Sequence, residues 1–113
     1  MAHAEGKITI RKPIGDVYNF ILDGTNNPLW RSSVMDIAPL GEKPYGVGSA
    51  FKQGLKGPGG RIDGDYQITE CKSNAVIRFQ VTAGPARPNG AYLFESDGEL
   101  TTITFILDFQ PKG

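Results

Sequence analysis

The sequence predicts an α+β fold, a curved antiparallel sheet of about seven strands with two short helices inserted after the first, and three observations predict it. The apolar spacing changes from two to about 3.6 at Pro13, so that Ile8 and Ile10 alternate while Ile14, Val17, Tyr18, Ile21 and Leu22 share one helical face. Beyond Ser33 almost every apolar run alternates with polar residues, as a sheet wetted on one side requires. The 15 glycines and 8 prolines gather between those runs, where tight turns are needed.

The first strand is expected over residues 5–11. Pro13 suits the opening turn of the first helix, where its missing N–H had no partner, and Asp16 favours the positive end of that helix. Asp23-Gly24 closes it, and Asn26-Asn27-Pro28 opens a second short helix carrying Leu29 and Trp30. Strands follow over 34–40 and 49–55, the latter with Phe51, Gln53 and Leu55 on one side. Lys56-Gly57-Pro58-Gly59-Gly60 is a hairpin break, and residues 61–71 read as one strand with Ile62, Gly64, Tyr66 and Ile68 on a shared face. After a turn at Lys72-Ser73-Asn74, Ile77, Phe79 and Val81 alternate in the next strand. A longer loop spans 84–90, a strand with Tyr92 and Phe94 spans 91–95, and Asp97-Gly98 marks a tight hairpin into the last strand, 100–109.

At 113 residues the chain is one domain, able to bury roughly two thirds of its unfolded surface. Twelve acidic and twelve basic residues balance, and no basic cluster stands out, which argues against nucleic acid as a partner. No apolar run approaches the roughly 18 residues that span a bilayer, so no membrane partner is expected. The N-terminal stretch has no apolar signal-peptide core, and Cys71 is alone, so a reducing cytoplasm is the expected location.

Several motifs together resemble the START-like (SRPBCC, helix-grip) superfamily, which includes birch-pollen-allergen-type proteins and bacterial polyketide cyclases/dehydrases. They are Arg11-Lys12-Pro13 leading into a helix with Val17 and Phe20, Asn27-Pro28-Leu29-Trp30, and Gly46-Val47-Gly48-Ser49. Tyr66-Gln67-Ile68-Thr69-Glu70, Ile77-Arg78-Phe79 and Tyr92-Leu93-Phe94-Glu95 extend the likeness over nearly the whole chain. The resemblance implies a sheet gripping a long C-terminal helix, with an apolar cavity between them. This sequence ends at Gln110-Pro111-Lys112-Gly113, where that helix would begin, so a C-terminally truncated domain over 1–113 is expected.

His3 is the only histidine, which leaves no triad and no metal centre, and no cofactor is expected. Cys71 reads as a small apolar filler, and the Gly57–Gly60 run as a hairpin in place of a phosphate cradle, because a strand and not a helix follows it. The aromatic face is the informative feature. Phe51, Tyr66, Phe79, Tyr92, Phe94 and Phe105 fall on one side of the sheet, more rings than two short helices can cover. Tyr66, Tyr92 and Gln53 add polar atoms, the mixture expected of an apolar ligand pocket. Trp30 reads first as a plug between helices and sheet and second as a wall of that pocket, two readings that overlap.

The expected function is binding of a small apolar or aromatic molecule over the concave face, with Trp30, Phe51, Gln53, Tyr66, Phe79, Tyr92, Phe94 and Phe105 as its lining. The resemblance implies an alternative, a cyclase- or aromatase-like enzyme using Tyr66, Tyr92 and, where no bulge intervenes, Glu70. A third reading is a structural domain in which a second copy covers the open sheet, burying on the order of 2,000 Å². A cystatin-like cone ranks second as a fold, because it lays down a long helix early and the first helix here has only about ten residues.

Overall fold

The structure is a computed structural model and describes residues 2–84 and 86–109. Its elements run β1 (Ala2–Ile10), α1 (Ile14–Leu22), a single 3-10 turn (Gly24–Asn26), α2 (Asn27–Trp30), β2 (Val34–Pro39), β3 (Ala50–Gly57), β4 (Gly60–Asp63), β5 (Tyr66–Lys72), β6 (Val76–Val81), β7 (Asn89–Asp97) and β8 (Leu100–Phe109). One antiparallel sheet joins all the strands in the order β1-β8-β7-β6-β5-β3-β2, with β4 paired to β3 beside this path. The seven strands of the main path form the curled sheet that the alternation predicts, and both helices follow the first strand.

Local chemistry explains the elements. Pro13 precedes α1 without any side-chain cap, Asp16 lies in its first turn, and Val17, Tyr18 and Ile21 are buried. The Asp23 carboxylate accepts from the Thr25 N–H at 3.0 Å and so starts the 3-10 turn that leads into α2. Gly59, at φ +84 after Pro58, closes the β3–β4 hairpin between paired Gly57 and Gly60, the geometry of a Pro-Gly type II turn. Asn74 takes the left-handed φ of 60 in the β5–β6 turn, a conformation asparagine tolerates.

Several boundaries differ from those read off the sequence. The β1 strand starts at Ala2 rather than residue 5, because the far half of β8 supplies partners up to Ala2↔Phe109, and no alternation in that segment advertises them. His3 therefore sits within β1, exposed, with its Nδ1 hydrogen-bonded to Asp108 and its Nε2 to Glu5. The strand expected over 61–71 divides at Gly64-Asp65. There Gly64 N–H donates to the Gln53 carbonyl, and the Asp65 carboxylate accepts from the Gln53 N–H. β3 thereby changes partner, pairing with β4 through Gly54–Gly57 and with β5 through Ala50 and Phe51. The β7–β8 hairpin turns on Gly98-Glu99, between paired Asp97 and Leu100, with Gly98 at φ +61.

The core lies between the concave sheet and α1. Val17, Tyr18 and Ile21 belong to one buried cluster with Ile68, Ile77, Phe94 and Ile103, and the Tyr18 ring meets Phe94 edge-on at 5.2 Å. Thr101, fully buried, donates its hydroxyl to the Lys12 carbonyl at 2.7 Å and ties β8 to the connection between β1 and α1. Ile103 has no exposed surface. Ile103→Ala is expected to destabilise the fold by about 2 to 5 kcal/mol, read as a lower urea midpoint with an unchanged slope. A loss below about 1 kcal/mol would show that the surroundings collapse onto the space.

Candidate functional site

The site grows from the row of rings that crosses the concave face. Phe51 stacks on Tyr66 at 5.2 Å, Tyr66 meets Phe79 edge-on at 5.4 Å, and Phe79 lies 5.4 Å from Tyr92 and 6.3 Å from Phe105. These rings come from β3, β5, β6, β7 and β8, so the row spans most of the sheet. Gly90 stands opposite Phe79 in the β6–β7 ladder, and a Cβ there would collide with the Phe79 ring. The ring thus lies across bare main chain.

Above part of this row is a cavity of about 200 Å³. Gln53, Tyr66, Phe79, Tyr92 and Phe105, all candidates from the sequence, line it together with Arg31. Phe51 is completely buried between Tyr45 and Tyr66 and does not border the cavity. Phe94 is occupied under α1 by Tyr18. Trp30 packs 5.8 Å from the Tyr92 ring but borders a second, apolar depression of about 410 Å³ with Ile8, Ile10, Val17, Phe20 and Ile21. The Trp30 indole N–H is buried without an acceptor among the described residues.

Polar atoms in the first cavity are organised from α2. Asn27, 1% exposed, donates its amide to Gln53 Oε1 at 2.9 Å and to the Tyr66 hydroxyl at 3.0 Å. Gln53 in turn donates to the Gly64 carbonyl at 3.3 Å. Arg31, which ends α2, lies over the Phe105 ring at 5.0 Å, and its Nη1 donates to the Tyr92 hydroxyl at 3.4 Å. Each phenol oxygen therefore accepts a hydrogen bond, and among the described residues neither hydroxyl has an acceptor for its own proton. Sequence reasoning did not place Asn27 or Arg31 in the site. The only signal was their position in and beside the short Asn-Pro-Leu-Trp helix.

Glu70 does not join these groups. The β5–β6 register shifts between Ile68 and Glu70, a bulge that turns Glu70 outward to Arg78 at 3.4 Å and Lys72 at 3.9 Å. Cys71, half-buried beside the Tyr18 hydroxyl, has its thiol pKa raised chiefly by burial. Among the described residues no group of His, Cys, Asp and Glu is arranged to hold a metal ion. No helix among them is long and apolar enough to cross a membrane.

Burial raises the pKa of Tyr66 and Tyr92 above the ordinary phenol value and takes Tyr18 up to about 12. The folded state then holds these protons more tightly than the unfolded chain. Their contribution to stability is complete below about pH 10 and is lost as pH rises through the raised folded values. Alkaline unfolding followed by circular dichroism is expected to begin above about pH 10, with a shallower loss in Tyr66→Phe. Stability unchanged well above that pH would contradict buried, protonated phenols.

No protein-family model matches the sequence, and no curated protein matches it. Solved structures do. A START superfamily protein from Mycobacterium smegmatis superposes with TM-score 0.80 at 11% identity, over 97% of this chain and 77% of that one. An aromatase/cyclase from a Streptomyces species gives 0.75 at 16% identity, over 99% and 70%. The major latex-like protein of Panax ginseng gives 0.76 at 14% identity, over 96% and 78%.

Proposed function

We propose that this chain, which has the START-like helix-grip fold, binds a small apolar or aromatic molecule in the cavity over the concave face of its sheet. One observation carries the reading. The cavity is walled by Phe79, Tyr92 and Phe105, yet Tyr66, Tyr92 and Arg31 present polar atoms to it, the combination of apolar area and a few convergent polar groups that orients a ligand. A plain core would have closed over these rings and paired both hydroxyls. The test is titration with Nile red, a neutral fluorescent probe. Saturable binding by the native chain and its loss in Val81→Trp, which fills the cavity from the wall, is the expected outcome. Native protein without saturable binding, or equal binding by the filled variant, would end this reading.

The enzyme alternative has less support. Tyr66 and Tyr92 are held protonated by burial, no carboxylate or imidazole hydrogen-bonds either hydroxyl among the described residues, and Glu70 faces away.

Pairing with a second copy is favoured by a separate observation. Ile8 and Phe20 remain 48% and 39% exposed around the depression between β1 and α1, a contiguous apolar surface of the kind that partners cover. Light scattering over a dilution series is expected to give a dimer that Phe20→Glu converts to monomer. A monomer at every concentration would remove this second reading.

A further inference from the structure

We propose that the ligand of the cavity is an apolar or aromatic acid, whose carboxylate or equivalent anionic oxygen seats against Arg31 and the Tyr92 hydroxyl. This rests on the binding reading above and assigns the ligand's polar end. The cavity is rich in donors and poor in acceptors. Arg31 offers its guanidinium, and the hydroxyls of Tyr66 and Tyr92 each hold a proton with no acceptor among the described residues. Each of the acceptors near them already takes one hydrogen bond. Gln53 Oε1 takes the Asn27 amide and the Gly64 carbonyl takes the Gln53 amide. Asp63, at the rim, is held by Arg61 Nη1 at 2.8 Å.

Arg31 also stands apart from the ion pairs. The carboxylates of the described residues that form ion pairs meet His3, Lys43, Arg61, Lys72 and Arg78, and none lies within 4.0 Å of Arg31. A guanidinium set against an aromatic face, beside an apolar cavity, has its strongest remaining interaction with a planar anion that it can grip with two N–H groups. A ligand oxygen meets the guanidinium when the apolar body of the ligand fills the space above Phe79 and Phe105. The Tyr92 hydroxyl, already fixed by Arg31 Nη1, points its free proton at the same oxygen or its neighbour. Tyr66, fixed by Asn27, supplies a second donor deeper along the row for a carbonyl or hydroxyl oxygen on the ligand body.

The experiment compares naphthoate with its neutral methyl ester by isothermal titration calorimetry. Native protein is expected to prefer the acid by roughly ten- to hundredfold, the range of charge-assisted hydrogen bonds. Arg31→Leu is expected to abolish that preference by weakening acid binding far more than ester binding, while Arg31→Lys, which keeps charge but loses the fork, falls between. Equal affinity for acid and ester in the native chain overturns the anionic seat and leaves the cavity reading standing. An Arg31→Leu variant that loses acid and ester alike overturns it too. If neither ligand binds the native chain saturably, the cavity reading fails and this proposal falls with it. Should Arg31→Leu fail to fold, Tyr92→Phe keeps the cavity's shape and is expected to narrow the preference. An unchanged preference in that variant counts against the seat.

Discussion

The side-chain amide of Asn27 fastens the helical segment to the sheet, and the geometry of the site depends on it. Its two N–H groups reach Gln53 on β3 and Tyr66 on β5, strands that are themselves adjacent. A four-residue helix has almost no intrinsic stability, so the path from residue 27 to residue 31 is held by this contact and by the 3-10 turn before it. Removing the amide would leave two buried oxygens without their donor, a penalty of about 1 to 3 kcal/mol for each group left unpaired. Asn27 also sets where α2 ends, and hence where the Arg31 guanidinium stands over Phe105.

The sheet beneath has its own constraint. Along one of its edges, β3 exchanges β4 for β5 at Gly64-Asp65. A Cβ at Gly64 would stand 2.6 Å from Leu55 Cδ1, so a side chain at this corner would require Leu55 to move. The hydrogen bonds that a straight strand would have made are replaced by Gly64 N–H to the Gln53 carbonyl and Gln53 N–H to the Asp65 carboxylate. The corner therefore keeps its backbone paired and places Gln53 at the cavity wall.

Much of this was legible in the sequence, for reasons that also explain where legibility stopped. Alternation is a local property, so it placed Gln53, Tyr66, Phe79, Tyr92 and Phe105 on one face before any contact was known. It cannot tell which stretch of that face the helices cover. Phe51 and Phe94 obey the same alternation, yet Phe51 is closed in by Tyr45 from the irregular loop before β3 and Phe94 by Tyr18 from a distant helix, contacts that alternation does not encode. The bulge that turns Glu70 outward has no composition of its own. Asn27 and Arg31 lie in or beside a helix too short to show a period, and their roles arise only from docking. The extra length of β1 was hidden for the same reason, since it is β8 that supplies its partners.

Gly90 has a consequence of a different kind. With no side chain beneath it, the Phe79 ring rests directly on the β7 main chain, and the floor of the cavity is one ring thick. Its capacity is then set by a residue that faces no ligand. A larger residue at this position would lift the floor without altering any group that touches a bound molecule. On the binding role proposed above, a substitution at position 90 would change the size of guest admitted while the recognition chemistry stayed constant.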